Sequence, residues 1–234
     1  MVTIRVGESK KEFVVHKGLI RHHSAYFDAQ FSGRWGDSDT IDFDNANETT
    51  FRAFFNYIYT YRLFQEPDKI VRSAKRSLSS EDADGACRLA DAENTSTEEE
   101  MVFRSRALCE MFVLGDFLLC NGFKFAAVDA LVDHVVSTWR FYRVVVNYVY
   151  RKTRGDSALR QLLVDFAAKA CDTEASKNWR SLNQEFLFDL MISLHGIVRN
   201  DNSKEPATQR AWETIDKCKY HEHGEDGTAT EDPE

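Results

Sequence analysis

The sequence predicts an α+β protein in which short strands near the N-terminus precede a larger set of helices. The first observation is the alternation of apolar and polar residues over 2–7, which is the period of a half-buried strand. The second is the apolar spacing of three and four residues in several later segments, which is typical of amphipathic helices. A hydrophobic content of 43% over 234 residues is enough for a substantial core.

Three short strands are expected before residue 44. VTIRVG (2–7) has its apolar residues on one face, and EFVV (12–15) follows a polar GESKK turn, so the two segments predict a β-hairpin. TIDF (40–43) follows a polar loop and is rich in strand-forming residues. It is predicted as the third strand.

Two short helical pieces are predicted over residues 16–31, split near Ser24, which is a good capping residue. Asn45 with Glu48 resembles a capping box that opens a further helix. The apolar residues of that helix fall at positions i, i+3, i+4 and i+7, and they are Phe51, Phe54, Phe55 and Ile58.

Residues 65–104 differ in composition from the segments on either side. They are rich in Ser, Asp and Glu, contain one of the three prolines, and lack sustained apolar periodicity. Such a segment cannot bury enough apolar surface to offset the entropy of ordering the chain. It is predicted to be a disordered insertion.

A helical hairpin is predicted after the insertion, with Asn121-Gly122 as its turn. The apolar face of its first helix consists of Leu108, Met111, Phe112, Gly115 and Leu118. The apolar face of its second helix consists of Phe123, Ala126, Ala127, Ala130, Leu131 and Val135.

Three more helices are predicted at about 138–152, 156–171 and 184–199, and a polar tail is expected to be mobile from about residue 201. The inward face of the last helix is predicted to contain Leu187, Leu190, Met191, Leu194 and Val198. These elements divide the chain into a first domain (1–136) with the insertion, a helical extension (137–200) and an acidic flexible tail (201–234).

The charge pattern indicates which class of partner to expect. The formal net charge is −8, and the negative excess lies in the insertion and the tail, while the remainder is nearly neutral. A body without a basic field does not attract phosphate backbones or anionic lipid, so neither nucleic acid nor a membrane is expected as the partner. Other proteins remain the expected partners.

The cysteines indicate the compartment. Five scattered cysteines without a CxxC pair argue against a disulfide framework and for a reducing environment. The N-terminus has no charged-then-apolar leader, and no apolar run approaches 18 residues. An intracellular protein of the cytoplasm or nucleus is therefore expected.

Motifs for catalysis, cofactors and metals are not recognised in the sequence, which contains no GxSxG, P-loop, GxGxxG or HExxH pattern. Cys218, His221 and His223 contain metal-ligating atoms, but a solvated tail is the favoured interpretation. His16, His22 and His23 are also assigned structural or surface roles, since adjacent helical residues cannot face one ion together. No enzyme activity, metal or cofactor is expected.

Consecutive stretches carry a family resemblance: VTIRVG with KEFVVHKGLIRHHSAYF, then TIDFDNANETTFRAFFNYIYTYRL, then LCEMFVLGDFLLCNGFKFAAVDALVDHV. Together they resemble the BTB/POZ domain as it occurs in the large fungal group of such proteins. The resemblance implies a helical cluster flanked by a short three-stranded sheet. The later YVYRKTRGDSALRQLLVD and NQEFLFDLM are similar to the helical extension that often follows this domain in fungal members.

The resemblance also implies a function. BTB/POZ domains generally act as non-enzymatic protein interaction modules, and many serve as substrate adaptors for cullin-based ubiquitin ligases, while others act as regulators of transcription through protein partners. Adaptors contact the cullin partly through a hydrophobic residue, any residue and Glu in the loop after the second short helix. The nearest match here is Trp35-Gly36-Asp37 in FSGRWGDSD, with Asp in place of Glu. The expected partner-binding residues are Phe31, Trp35 and Asp37, although Trp35 packing against its own loop is an equal alternative.

Two departures from the family pattern qualify the expected assembly. Dimeric transcription-factor members exchange a helix that precedes the first strand, whereas this sequence begins at that strand, so a homo-oligomer is not expected to take the helix-swapped form. No zinc finger, kelch repeat or MATH-type sandwich is recognisable. A substrate would then be held by the C-terminal helices or by the polar segments.

Overall fold

A computed structural model of the chain describes residues 1–32, 40–64, 95–140, 143–170, 179–199 and 209–222. Within these ranges a small mixed sheet lies near the N-terminus, and helices make up most of the remainder. The predicted α+β class, with a short three-stranded sheet and C-terminal helices, is therefore confirmed.

The sheet is built around its first strand. β1 (Val2–Val6) lies in the middle, paired antiparallel with β2 (Lys11–Val15) and parallel with β3 (Thr40–Phe43). Gly7, in the hairpin turn, has a φ of 65°, a left-handed conformation that glycine adopts without strain. All three strands lie where the sequence predicts them.

The break between the first two helices is fixed by one buried hydroxyl. α1 (Lys17–His23) and α2 (Ala25–Ser32) meet at Ser24, as predicted. The Ser24 hydroxyl donates to the carbonyl of Leu118 at 2.7 Å and accepts a hydrogen bond from the Phe27 amide at 3.3 Å. Because this side chain is fully buried, both bonds form away from water and hold the two regions together.

α3 (Glu48–Thr60) follows β3 and is capped by Asn47. The Asn47 Oδ1 atom accepts a hydrogen bond from the Thr50 amide at 2.8 Å, so the prediction that Asn45 opens this helix is wrong by two residues. The predicted apolar face is confirmed: Phe51, Phe54 and Ile58 are buried and Phe55 packs against the core.

An aromatic cluster joins the sheet to the helices. Its rings meet in edge, tilted and stacked arrangements with centroid distances of 5.4–6.5 Å, within the usual range for such pairs. The rings belong to Phe27, Phe43, Phe51, Phe54 and Phe123, which come from four different elements. Their burial contributes apolar contacts that link β3 to α2 and α3, and α3 to the helix that begins at residue 121.

The predicted helical hairpin consists of α4 (Thr95–Phe117) and α5 (Asn121–Thr138). The expectation of disorder up to residue 104 is therefore wrong for 95–104, while 65–94 lies outside the described residues. These residues are helical because of tertiary contacts with other parts of the chain. Met101 packs against the core, and its carbonyl accepts a hydrogen bond from Nε2 of His134 in α5 at 3.1 Å.

The turn of this hairpin also differs from the prediction. Asn121 is the first residue of α5, and the turn lies before it, where Leu119 adopts a left-handed conformation with φ of 52°. Gly122 serves close packing instead, because a Cβ atom there would overlap the hydroxyl of Tyr57.

The C-terminal helices are α6 (Arg143–Lys152), α7 (Ala158–Ala170) and α8 (Gln184–Arg199), the last preceded by a 3-10 turn at Trp179–Ser181. The existence of all three helices is confirmed. The predicted inward face of α8 is confirmed for Leu190, which is buried, and for Leu187, which packs against the core. It is wrong for Met191 and Leu194, which are exposed, and it omitted Phe186, which is buried.

Residues 209–222, here called the C-terminal strap, cross back over the molecule. They contain α9 (Gln209–Trp212) and a 3-10 turn (Lys217–Tyr220), with Trp212 and Tyr220 both buried. The expected flexible tail is therefore wrong for this segment, and 201–208 and 223–234 lie outside the described residues. Among the helices that the structure describes, none has the length and apolar character needed to cross a membrane.

Candidate functional site

The sequence-predicted partner-binding residues lie at the end of α2 and in the loop after it. Trp35 and Asp37 fall in 33–39, outside the described residues. Phe31 is described and is buried, with its ring stacked against Phe27 at a centroid distance of 6.3 Å. Its role in contacting a partner stays a prediction, and in this structure its ring contributes to the core.

Charged side chains fix the end of α2, from which that loop departs. Arg21 Nε donates to Asp28 at 2.7 Å, and Arg21 Nη2 donates to the Ser32 hydroxyl at 3.0 Å. Lys17 Nζ lies 5.0 Å from the centre of the Phe31 ring, within cation–π range. These contacts hold α2 against α1 up to its last residue.

The histidines of the first helical segment have structural surroundings. His16 is the N-cap residue of α1, and its Nδ1 atom lies 2.8 Å from the Tyr59 hydroxyl. The rings of His22 and His23 meet edge-on, and His23 also faces the ring of Tyr61. Within the described ranges, no three His, Cys, Asp or Glu side chains are grouped so that they could hold a metal ion.

A second candidate surface lies on the outer side of α8. Phe188, Met191 and Ile192 are 59%, 58% and 55% exposed and occupy positions i, i+3 and i+4. They lie opposite Phe186 and Leu190, which pack into the core. The sequence carried a signal for this surface, since α8 is apolar on both sides, and a helix that is apolar all round is normally covered by a neighbour.

A polar pocket adjoins that surface, between the turn preceding α7 and the middle of α8. Its volume is about 310 Å³, and Ile192 lies at the border between the pocket and the apolar surface. The lining also includes Gly155, Asp156, Ser157, Arg160, Gln161, Val164, Asp189 and Ser193. Sequence reasoning missed this pocket because its residues come from two separated segments.

Arg160 organises the base of this pocket. Its guanidinium donates to Glu185 at 2.7 Å and to the carbonyls of Tyr150 and Thr153 at 2.8 and 2.6 Å. It also lies 4.3 Å from the centre of the Tyr150 ring. The positive charge is therefore fully engaged by protein acceptors and is not presented to a ligand.

Asp189, in α8, is the acidic group on the opposite wall. Its Oδ2 atom accepts a hydrogen bond from the Tyr150 hydroxyl at 2.8 Å. Burial raises the pKa of Tyr150, and the hydrogen bond and charge of Asp189 raise it further, so the phenol stays protonated and donates. The Asp189 side chain is thereby held at the pocket wall by a neutral donor.

The C-terminal strap covers a different face, formed by α5 and α7. Lys124 in α5 is 6% exposed and donates to Asp116 at 3.0 Å and to Glu222 of the strap. Burial alone would lower the pKa of Lys124, but hydrogen bonds to Glu222 and Asp116 and their charges outweigh it and raise the pKa. The ammonium group is therefore a structural cation that joins the strap to α5.

The buried thiols are poor nucleophiles. Burial raises the pKa of Cys120 to about 11, and burial also raises the pKa of Cys109. Both groups are therefore protonated thiols near neutral pH, whereas reactive cysteines need a lowered pKa. Cys218, in the strap, is exposed.

Comparison with protein-family models finds a match to the N-terminal region. The model of the BTB/POZ domain family matches residues 2–88, a span that contains the sheet and α1 to α3. A search of the curated proteins finds no significant match. The expected BTB/POZ domain is thereby confirmed over residues 2–88, and both the fungal subgroup and the domain end at 136 stay predictions.

Proposed function

We propose that this chain is a non-enzymatic protein–protein interaction module of the BTB/POZ type. The observation that carries the proposal is the BTB/POZ match over residues 2–88, since domains of this family generally bind proteins. The surroundings of the described side chains support it, because the buried thiols are protonated and the buried cations Lys124 and Arg160 are paired. The proposal places the chain in the cytoplasm or nucleus.

The more specific role that we propose is a substrate adaptor for a cullin-based ubiquitin ligase. The support is the Trp35-Gly36-Asp37 sequence in the loop after α2, which resembles the adaptor contact. The anchored end of α2, with Arg21 paired to Asp28, gives that loop a fixed point of departure. Regulation of transcription through partners is the alternative role within the same class.

Titration of the full chain with a purified cullin scaffold tests the adaptor role. We expect micromolar or tighter binding, and we expect Trp35→Ala to weaken it about 30-fold, which corresponds to about 2 kcal/mol. The melting temperature should change little if Trp35 lies at the interface. Val14→Ala is the control, because it trims an exposed apolar side chain of β2 and should leave cullin binding unchanged.

Each contrary outcome has a separate meaning. A joint loss of binding and stability in Trp35→Ala would assign Trp35 to packing within its own loop. Absence of cullin binding by the unmodified chain would remove the adaptor role and leave the interaction module in its general form. Sedimentation of the free chain would show whether it self-associates without a swapped helix.

A further inference from the structure

We infer that the outer face of α8 and the adjoining pocket form one docking site for a segment of a partner protein that presents apolar side chains beside a lysine or arginine. The inference rests on the proposed function, since it names the surface through which an interaction module would hold a second partner. The residues of the site lie in 155–164 and 188–193, beyond the residues matched by the BTB/POZ model.

The apolar half of the site is the stripe of Phe188, Met191 and Ile192. These side chains are all more than half exposed and lie together on one side of a helix whose opposite side is buried. Scattered exposed apolar residues are ordinary on a protein surface, but a contiguous stripe on a packed helix is typical of an interaction surface. The stripe can accept two or three apolar side chains of an extended or helical segment.

The polar half is the pocket, and Ile192 is common to both halves. Ser157 is 8% exposed and lines the pocket, and its hydroxyl has no hydrogen-bond partner among the described residues. That oxygen is itself almost inaccessible, so Ser157 lines the pocket through its other atoms. A volume of about 310 Å³ is at the lower end of ligand pockets and suits one long side chain.

The charges of the pocket select a cation. Asp156 and Asp189 line it as carboxylates, whereas Arg160 is already bound to Glu185 and to two carbonyls. The N-terminus of α7 would favour an anion, but Glu222 already accepts from its Ala158 amide at 2.8 Å. The remaining field is negative, so an ammonium or guanidinium group fits and a phosphate or carboxylate does not.

A display library of random 12-residue peptides, selected on the full chain, supplies the probe. The counter-selection uses the chain with Met191→Glu and Ile192→Glu, which alters only exposed side chains. We expect the retained peptides to combine apolar residues with at least one lysine or arginine. Acidic or charge-independent peptides, or peptides that bind both proteins equally, would overturn the inference.

Fluorescence anisotropy with the best synthetic peptide then measures the two halves separately. Replacing the basic residue of the peptide by glutamine should weaken binding tenfold or more. Asp189→Asn in the protein should weaken binding by a similar factor. Asp156→Asn is the second variant, to be used if Asp189→Asn destabilises the fold. Val14→Glu, an exposed apolar position on β2, should leave binding within twofold. Equal loss in Val14→Glu would show non-specific adhesion and would overturn the site.

Three further outcomes separate this inference from its alternatives. If the free chain dimerises and Ile192→Glu abolishes the dimer, the stripe is covered by a second copy and the partner-segment inference fails. If cullin binds but no basic apolar peptide does, the inference fails while the proposed function stands. If such peptides bind and cullin does not, the docking site stands and the adaptor role fails.

Discussion

The sheet-bearing region and the C-terminal strap are held in place by different kinds of contact. In the first, aromatic rings from β3, α2, α3 and α5 pack on one another within the core. In the second, two buried rings are surrounded by paired charges, among them Lys217 with Asp133 and Lys219 with Asp165. A region can therefore be ordered without a continuous apolar pattern when a few rings anchor it and charges align it.

Replacing Tyr220 tests which of these contacts holds the strap. Tyr220→Ala should lower the free energy of unfolding by about 3–5 kcal/mol, because it removes a fully buried ring. Tyr220→Phe should cost only about 1 kcal/mol, since it loses one hydrogen bond, of 3.1 Å, to Asp165. Urea denaturation measures both values, and equal losses in the two variants would mean that the hydroxyl, and not the ring, holds the strap.

Leu131→Ala tests the apolar region in the same way. Leu131 is buried in the middle of α5, so its truncation should leave a cavity and cost about 2–5 kcal/mol. Leu194→Ala on the exposed side of α8 is the control and should cost less than about 0.5 kcal/mol. A loss below about 1 kcal/mol for Leu131→Ala would contradict the assigned packing of α5.

Lys124→Met tests the charged contacts of the strap. At neutral pH it should cost about 1–3 kcal/mol, because the Asp116 and Glu222 carboxylates lose a charged donor. The pKa of Lys124 is raised in the folded chain, so its contribution is complete below pH 10.5 and is lost as pH rises through the folded value. Denaturation at pH 7, 9 and 11 should therefore show the difference between the two proteins shrinking at alkaline pH.

His134→Gln should have the smallest effect, and it tests the contact between α5 and the start of α4. Burial lowers the pKa of His134, and the positive charge of Arg104 also lowers it. The hydrogen bond to the Met101 carbonyl raises the pKa, but it does not outweigh burial. The contribution of neutral His134 is present above pH 6.5 and is lost as pH falls through the lower folded value. Glutamine still donates to Met101 but does not titrate, so the stability of the variant should fall less between pH 7 and pH 5.

The elements that could be predicted are those whose signal is local. Alternation in β1 and the apolar spacing in α3 depend on neighbouring residues and appear in a single sequence. The order of residues 95–104 could not be predicted, because the charged TSTEEE run is a weak helical signal and its support comes from His134. The strap was missed for the same reason: Lys124 and Glu222 are 98 positions apart.

For the candidate sites too, local sequence signals do not predict contacts between distant segments. The contact at Trp35 and Asp37 stays a prediction from a motif, and the burial of Phe31 depends on how α2 packs, which the motif does not contain. On α8, apolar residues occur on both faces, so spacing alone could not distinguish Phe186, which is inside, from Met191, which is outside. The pocket needs both the α7 turn and α8, and sequence spacing does not bring them together.

The pairing of Lys124 with Glu222 can form only some time after Lys124 has been synthesised. A ribosome adds about 5–20 residues per second, so the 98 positions between these residues take roughly 5–20 seconds to make. During that time the Lys124 ammonium of α5 lacks its Glu222 partner, and Phe166 is made before Trp212, which contacts its ring. Until Trp212 has been made, the Phe166 ring therefore lacks the edge contact that the strap supplies in the folded chain.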